Sequence, residues 1–330
     1  MEEETKCCSK CGVVKGKSEF AKWNDVCKEC TYQNDKDRRN SNAESFFKYM
    51  VSSARATANR RLNKGRIDAG ICTIDWEYIR DLYDKQDGKC HYSNVPMVLQ
   101  VEADWQCSIE RKDQDFGYTP GNLVLCCVEF QSRVQWSTEK YKELMELLFA
   151  KNEANISLDM FDKPTDKPRK LQKVEKTVVG GIITHARCTK LCGLLKPRDQ
   201  FGKTLKYGCK ECQSTIYMLR NNTPRGHISI LLRSMKLHSK LREHNPPEMT
   251  KQDLYDKFIE QKGLCALTGI PMTFGSNKNW MASPERKDNS VHYTKENVCF
   301  IISELNTTKQ WTKEKIEHIK VIWAANNQAV

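Results

Sequence analysis

Residues 105–131 read WQCSIERKDQDFGYTPGNLVLCCVEFQ, and residues 280–306 read WMASPERKDNSVHYTKENVCFIISELN. A shift of 175 residues superimposes Glu110-Arg111-Lys112-Asp113 on Glu285-Arg286-Lys287-Asp288, Tyr118-Thr119 on Tyr293-Thr294 and Asn122 on Asn297. Over 110–141 against 285–316 no gap is needed and 12 of 32 pairs are identical, Trp136 and Trp311 among them. The same shift pairs Cys90 with Cys265, Pro96-Met97 with Pro271-Met272 and Trp105 with Trp280. Upstream, a shift of 181 or 182 pairs Cys11 with Cys192, Phe20 with Phe201, and Cys27-x-x-Cys30 with Cys209-x-x-Cys212. Self-similarity of this reach predicts an α+β chain in which one composite module occurs twice in tandem.

The second half of each module reads as strand, polar loop, strand and then a helix beginning near Val128 or Ser303. Ser-Ile-Glu-Arg or Ser-Pro-Glu-Arg forms the first strand, and Asn-Leu-Val-Leu or Asn-Val-Cys-Phe the second. Before them, Thr73–Tyr83 and Thr250–Phe258 read as helices capped by Thr73 and Thr250. Paired aromatics at matching places, Trp105 with Trp280 and Trp136 with Trp311, are expected in cores ahead of base stacking. Cys126 and Cys127 are expected to lie buried in a strand.

Each module opens on a cysteine quartet. Copy one has Cys8-x-x-Cys11, fifteen residues, then Cys27-x-x-Cys30; copy two has Cys188-x3-Cys192, sixteen residues, then Cys209-x-x-Cys212. Two close pairs separated by a short hairpin deliver four thiolates tetrahedrally to zinc, and a closed four-sulfur shell is structural. Cys7 is an alternative to Cys8, because Cys7-x3-Cys11 has the spacing of the second quartet.

A basic helix follows each ribbon. Residues 46–67 carry Lys48, Arg55, Arg60, Arg61, Lys64 and Arg66 without an acid, while Phe46, Met50, Ala54, Ala58 and Leu62 recur every fourth position. Residues 225–242 carry Arg225, Arg233, Lys236, Lys240 and Arg242, again without an acid, beside Ile228, Leu231, Leu232 and Met235. A face that serves only solubility usually mixes signs, so phosphate contact is weighed equally with a solvated face.

The remaining composition bounds the class. The chain has 330 residues and a net charge of +12, which favours a polyanionic partner. No run reaches the length of a membrane span, and Met1-Glu2-Glu3-Glu4-Thr5 is acidic where a signal peptide is basic. Sixteen cysteines without an export signal point to metal ligands in an intracellular, reducing compartment rather than to disulfides. The expected domains are ribbon 1 at 1–45, basic helix and ββα unit 1 at 46–162, and a basic linker at 163–184. Ribbon 2 at 185–222 and the second helix and ββα unit at 223–330 complete them.

The ordered set Cys-x-x-Ser/Thr-Gly/Asn-x-Pro, Glu-Arg-Lys-Asp, Gly/His-Tyr-Thr-x-x-Asn, then Gln131 or Asn306, resembles the HNH (His-Me finger) endonucleases of viral and mobile-element type. Such proteins often carry an N-terminal zinc ribbon, here with Lys17-Ser18-Glu19-Phe20. The resemblance covers most of both copies and implies a ββα-metal fold. It implies that Glu285 with Asn306, and Glu110 with Gln131, hold one Mg²⁺ or Mn²⁺ at the scissile phosphate. It also implies that Asn122 and Asn297 order the loop and orient the base. The family's histidine base is replaced by Arg111 and Arg286, and arginine stays protonated at working pH. His292, or His91 in copy one, is a candidate substitute.

The expectation is a zinc-stabilised DNA-binding endonuclease with copy two catalytic, RNA being left open as the partner. Its rivals are an inactive nuclease-derived binding or structural protein and a zinc-dependent protein-interaction module. The oligomeric state is open, since two internal copies can replace a homodimer.

Overall fold

The computed structural model describes residues 4–132, 135–153, 158–162, 174–275, 278–307 and 309–327. Among them are eight α-helices and nine short strands in four small sheets, a mixed α+β chain. From the N-terminus, β1 (Thr5–Cys7) and β2 (Val14–Gly16) form a hairpin, followed by α1 (Lys28–Arg39), α2 (Ala43–Leu62) and α3 (Trp76–Lys85). Then come β3 (Cys107–Arg111), its antiparallel partner β4 (Leu123–Cys127) and α4 (Thr138–Phe149).

The C-terminal part begins with a three-stranded sheet of β5 (Lys176–Val179), β6 (Ile182–Arg187) and β7 (Leu195–Pro197). It continues through α5 (Lys210–Asn221), α6 (Pro224–Leu241), α7 (Lys251–Glu260), β8 (Ala282–Arg286), β9 (Val298–Ile302) and α8 (Lys313–Asn327). Strand pairing is equivalent in the two hairpins, since Glu110 stands opposite Val124 and Glu285 opposite Cys299.

The chain divides into two compact units that do not follow the boundaries expected from sequence. The first comprises Met1–Glu146 with Thr307–Val330, so α8 belongs to the unit built by the N-terminal half; the second is Leu147–Asn306. The expected linker differs as well. Residues 163–173 lie outside the described residues, whereas 176–179 are already β5 and pair with β6. The β-branched run Thr177-Val178-Val179, closed by Gly180-Gly181 at positive φ, is hairpin chemistry that the nearby basic run disguises.

Local capping sets the helix starts. The α3 cap is Asp75 rather than Thr73: Asp75 accepts the Tyr78 N–H at 2.8 Å, while Thr73 N–H is spent on the Tyr118 carbonyl at 3.0 Å. Thr250 caps α7 as expected, in a reciprocal box with Asp253. The basic helices lie where expected. Helix α2 buries Phe46, Phe47, Met50, Val51, Ala54 and Ala58, with Leu62 exposed at its end, and α6 buries Ile228, Leu232 and Met235.

After β4 and β9 the expected helix is delayed. Val128–Phe130 is a single 3-10 turn and α4 starts at Thr138; α8 starts at Lys313. The cause is a buried acid in each connection. Glu129 accepts the Trp105 N–H and Glu304 the Trp280 N–H, both at 3.0 Å. Trp105 and Trp280 sit at φ 59° and 61°, a left-handed conformation costly for a bulky residue, which these bonds help to hold. Trp136, Trp280 and Trp311 are core residues, and Cys126 and Cys127 are buried in β4.

Candidate functional site

Two features bring chemistry-bearing side chains together: the cysteine quartets and the polar loops of the β3–β4 and β8–β9 hairpins. In the first quartet Cys8 and Cys11 lie at the end of the β1–β2 hairpin and Cys27 and Cys30 at the start of α1. The ligand atoms of Cys8, Cys11, Cys27 and Cys30 all lie within 4.8 Å of one another, as do those of Cys188, Cys192, Cys209 and Cys212. Cys27 and Cys209 cap α1 and α5, receiving the N–H groups of Cys30 and Cys212 at 3.5 Å. Backbone donors also reach Cys8 Sγ from Cys27 and Cys188 Sγ from Cys209, both at 3.3 Å.

Those donors set the charge. The Cys27 N–H holds the Cys8 thiol down to about 6, while the neighbouring sulfur atoms, led by Cys27, push Cys30 up to about 12. Burial opposes ionisation of Cys188, yet N–H donors, led by Cys209, bring it to about 7; burial first, then sulfur neighbours, raise Cys212 to about 12. Four thiols this close ionise together only around a compensating cation, so the donor sets fit Zn²⁺ as two structural sites. Cys7 is not in the quartet: its thiol is directed to the carbonyls of Gly12, at 3.4 Å, and Cys8. Strand alternation sends Cys7 and Cys8 apart, which settles the open choice for Cys8.

In the hairpins, Glu110 and Glu285 occupy the fourth position of β3 and β8. Gln131 Nε2 donates to Ile109 O at 2.8 Å and to Glu110 Oε2 at 3.4 Å, so sequence-distant residues do meet in the first unit. In the second, Asn306 Nδ2 donates to Ser283 Oγ at 3.0 Å and Pro284 O at 3.1 Å, on the strand that carries Glu285. Neither amide stands on a helix, contrary to expectation: both follow tight turns before α4 and α8. Burial pushes both glutamates above the usual carboxylate range, against the pull of Arg111 and Arg61 at Glu110 and of Arg286 and Arg242 at Glu285. The Glu285 carboxylate accepts no hydrogen bond among the described residues. A half-buried carboxylate of this kind gains from nearby positive charge, here Arg286 and Arg242.

The asparagines order the loops. Asn122 takes the Asp113 N–H and donates to the carbonyls of Asp113 and Gly117. Asn297 takes the Asp288 N–H and donates to Asp288, Val291 and His292 carbonyls. The arginines are loop staples too. Arg111 Nη1 donates to Gln114 O at 2.7 Å and Phe116 O at 2.6 Å; Arg286 Nη1 donates to Asn289 O at 2.7 Å and Val291 O at 2.9 Å. Both are buried and lie over Tyr118 or Tyr293. A guanidinium committed in this way holds the loop rather than reaching outward.

His292 pairs with Glu248 at 3.0 Å. Partial burial of its ring, and then the charge of Lys112, hold the His91 imidazole below the ordinary value. The residue that sequence reading missed is His244. Its Nδ1 lies 3.3 Å from Arg286 Nη1, at the end of the segment leaving α6. Its only sequence signal was its place two residues after Arg242.

The basic helix residues divide. Arg55 bonds Ile74 O, Arg60 bonds Thr57 Oγ1, Arg66 faces Asp115 at 3.8 Å and Arg61 lies over Tyr118. Lys64, Arg233, Lys236 and Lys240 are exposed, and their side chains have no ion-pair or hydrogen-bond partner among the described residues. Spacing of three and then four places Arg233, Lys236 and Lys240 on one face of α6. No helix among the described residues is long and apolar enough to cross a membrane. No family model matches the chain, and no curated protein or solved structure matches it.

Proposed function

We propose that the chain is a tandem duplication of a zinc-ribbon, basic-helix and HNH-like ββα module, and that it is a DNA-binding, metal-dependent phosphodiester hydrolase. The observation that carries this reading is the recurring acid and amide beside an asparagine-ordered loop: Glu110 with Gln131 and Asn122, Glu285 with Asn306 and Asn297. A bound Mg²⁺ or Mn²⁺ would supply charge stabilisation at the scissile phosphate. Glu285 and Asn306 would hold it, Asn297 would fix the loop, and Arg242 would add positive potential beside the acid. Copy two is favoured because Asn306 leaves Glu285 free of hydrogen bonds, whereas Gln131 turns its NH₂ group onto Glu110. His244 Nδ1 faces the Arg286 guanidinium, so its protonated Nε2 suits a phosphate donor better than a base.

A second reading keeps the fold as an inactive nucleic-acid-binding protein. It is favoured by the stapled arginines, which leave no imidazole at the base position. Supercoiled plasmid incubated with zinc-loaded protein, with and without Mg²⁺ or Mn²⁺, separates the two. Metal-dependent nicking lost in Glu285→Ala/Asn306→Ala and retained in Glu110→Ala/Gln131→Ala supports the first reading. Salt-sensitive binding without cleavage supports the second.

A further inference from the structure

The first unit has a recess between α2 and β3, closed at one side by Tyr118 of the β3–β4 loop and by Gln131. Its volume is about 270 Å³, and its polar lining comes from Tyr49, Ser53 and Thr57 on α2, Gln106 and Ser108 at β3, and Gln131. That volume falls just below the range of roughly 300–1,000 Å³ typical of small-ligand pockets, enough for one ring system. The lining contains no charged side chain. Among the described residues the hydroxyls of Ser53 and Ser108 have no hydrogen-bond partner, and Gln106 uses only its Oε1, on the Glu102 N–H. A planar, uncharged ligand with several donors and acceptors fits such walls.

We propose that this recess binds a single nucleobase unstacked from a nucleic-acid strand, a specificity pocket that rests on the nucleic-acid reading of the chain. Three observations converge. One wall is the basic helix, with Lys64 exposed beyond it, so an anionic backbone would run along the outside while a neutral base enters. Gln131 belongs both to the recess and to the acid–amide pair at Glu110, which puts the base beside the first unit's counterpart of the pair proposed to act in the second. Ser53, Ser108 and Gln106 supply uncommitted donors and acceptors for the edge of a base, beside the Tyr49 and Tyr118 rings, which already carry Arg39 and the pair Arg61 and Arg111.

The recess is particular to the first unit's residues. The shift of 181 puts Met235 at the place of Ala54 and His238 at that of Thr57, and the shift of 175 puts Met281 at that of Gln106. Different side chains stand at all three positions, and Met235, far larger than alanine, is buried. The two copies would then divide labour, one reading a base and the other holding the cation.

The test uses the zinc-loaded full chain and the four deoxynucleosides, which carry no phosphate, in saturation-transfer NMR. At least one nucleoside is expected to show stronger transfer to base protons than to sugar protons. Ala54→Met/Thr57→His, which installs residues the chain already uses, should weaken that signal about tenfold, the loss expected when filling the recess costs one or two hydrogen bonds. Ser53→Leu fills the recess from its exposed rim and guards against misfolding of the first variant; circular dichroism and zinc content report the fold. No transfer from any nucleoside, or equal transfer in wild type and Ser53→Leu, overturns the pocket. Plasmid nicking is scored separately: nucleoside binding without nicking sinks the hydrolase and leaves the pocket standing.

Discussion

Lys315 of α8 donates to the fully buried Glu129 carboxylate at 2.9 Å, across 186 residues of sequence. Lys315 also bonds Asp104 at 2.7 Å, Trp311 Nε1 donates to Glu129 O at 3.1 Å, and Trp105 lies against both Trp311 and His318. The last helix is therefore part of the first unit's core, and its lysine compensates an acid that the Trp105 turn requires. Lys315→Ala leaves that acid buried without its cation, which costs about 3–5 kcal/mol. Lys315→Met with Glu129→Gln keeps an acceptor for Trp105 and should recover most of the loss. Urea unfolding followed by tryptophan fluorescence measures both, and a Lys315→Ala midpoint equal to wild type would show the pair to be dispensable.

The quartets predict metal stoichiometry. Purified protein should hold two zinc ions per chain, one fewer in Cys8→Ser or Cys188→Ser, and two in Cys7→Ser. Chelation should unfold the ribbons, whose buried side chains beyond the sulfur ligands are few: Phe20 in one, Ala186 and Phe201 in the other. Colorimetric zinc release decides it, and loss of an ion from Cys7→Ser would place the wrong sulfur in the shell.

The loop staples predict a local effect. Asn297 makes four backbone hydrogen bonds through one carboxamide, with lengths from 2.8 to 3.2 Å. Asn297→Ala removes all four at a cost of about 1–3 kcal/mol, since the carbonyls it served are partly able to find water. Hydrogen exchange of residues 289–293 should accelerate while β9 stays protected. Uniform loosening of the hairpin would mean that the asparagine supports the strands instead of the loop.

What could be read from sequence followed the range of the interaction. Cysteine spacing and the fourfold apolar recurrence of α2 are local, and both quartets came out as expected, as did the buried face of α2 from Phe46 to Ala58, Leu62 being exposed. The helix after each hairpin was misplaced because its delay depends on Glu129 reaching Trp105 and Glu304 reaching Trp280, 24 residues away in each case. Both acids are identical under the 175-residue shift and so were visible, but nothing local marks a glutamate as buried. Asp75 is the cap because α3 begins at Trp76, two residues beyond the start that a Thr73 cap requires; Thr73 is held at its backbone N–H by the Tyr118 carbonyl, a contact that no propensity reports. The membership of α8 in the first unit was invisible for the same reason: the shift aligns Lys315 with Lys140, without telling which acid either will meet.

Under the nucleic-acid reading, the α6 stripe predicts a salt dependence. Replacing Arg233, Lys236 and Lys240 by Gln should lower the slope of log affinity against log salt by about 0.9 for each duplex-DNA phosphate that these side chains neutralise. Exposed substitutions of this kind leave stability within about 0.5 kcal/mol. A wild-type slope in the triple variant would make that face solvated surface only.

Glu285 predicts a pH signature that needs no knowledge of substrate. Burial raises its carboxyl above the ordinary value, chiefly through loss of water, with Arg286 and Arg242 only partly opposing. A carboxyl with a higher pKa folded than unfolded binds the proton more tightly in the native state, so its ionisation penalises folding as pH rises through that folded value. Glu285→Gln should therefore raise the melting temperature at pH 7 in metal-free buffer containing zinc only at the quartets. That gain should disappear as pH falls below the unfolded carboxyl value near 4.5. Addition of Mg²⁺ or Mn²⁺ should stabilise wild type and not the variant, because only the wild type offers an anionic ligand, and the difference should shrink in acid as protons compete with the ion. A Glu285→Gln variant less stable than wild type at pH 7 without added metal would show that the arginines already satisfy the carboxylate, and the case for a cation between Glu285 and Asn306 would fall with it.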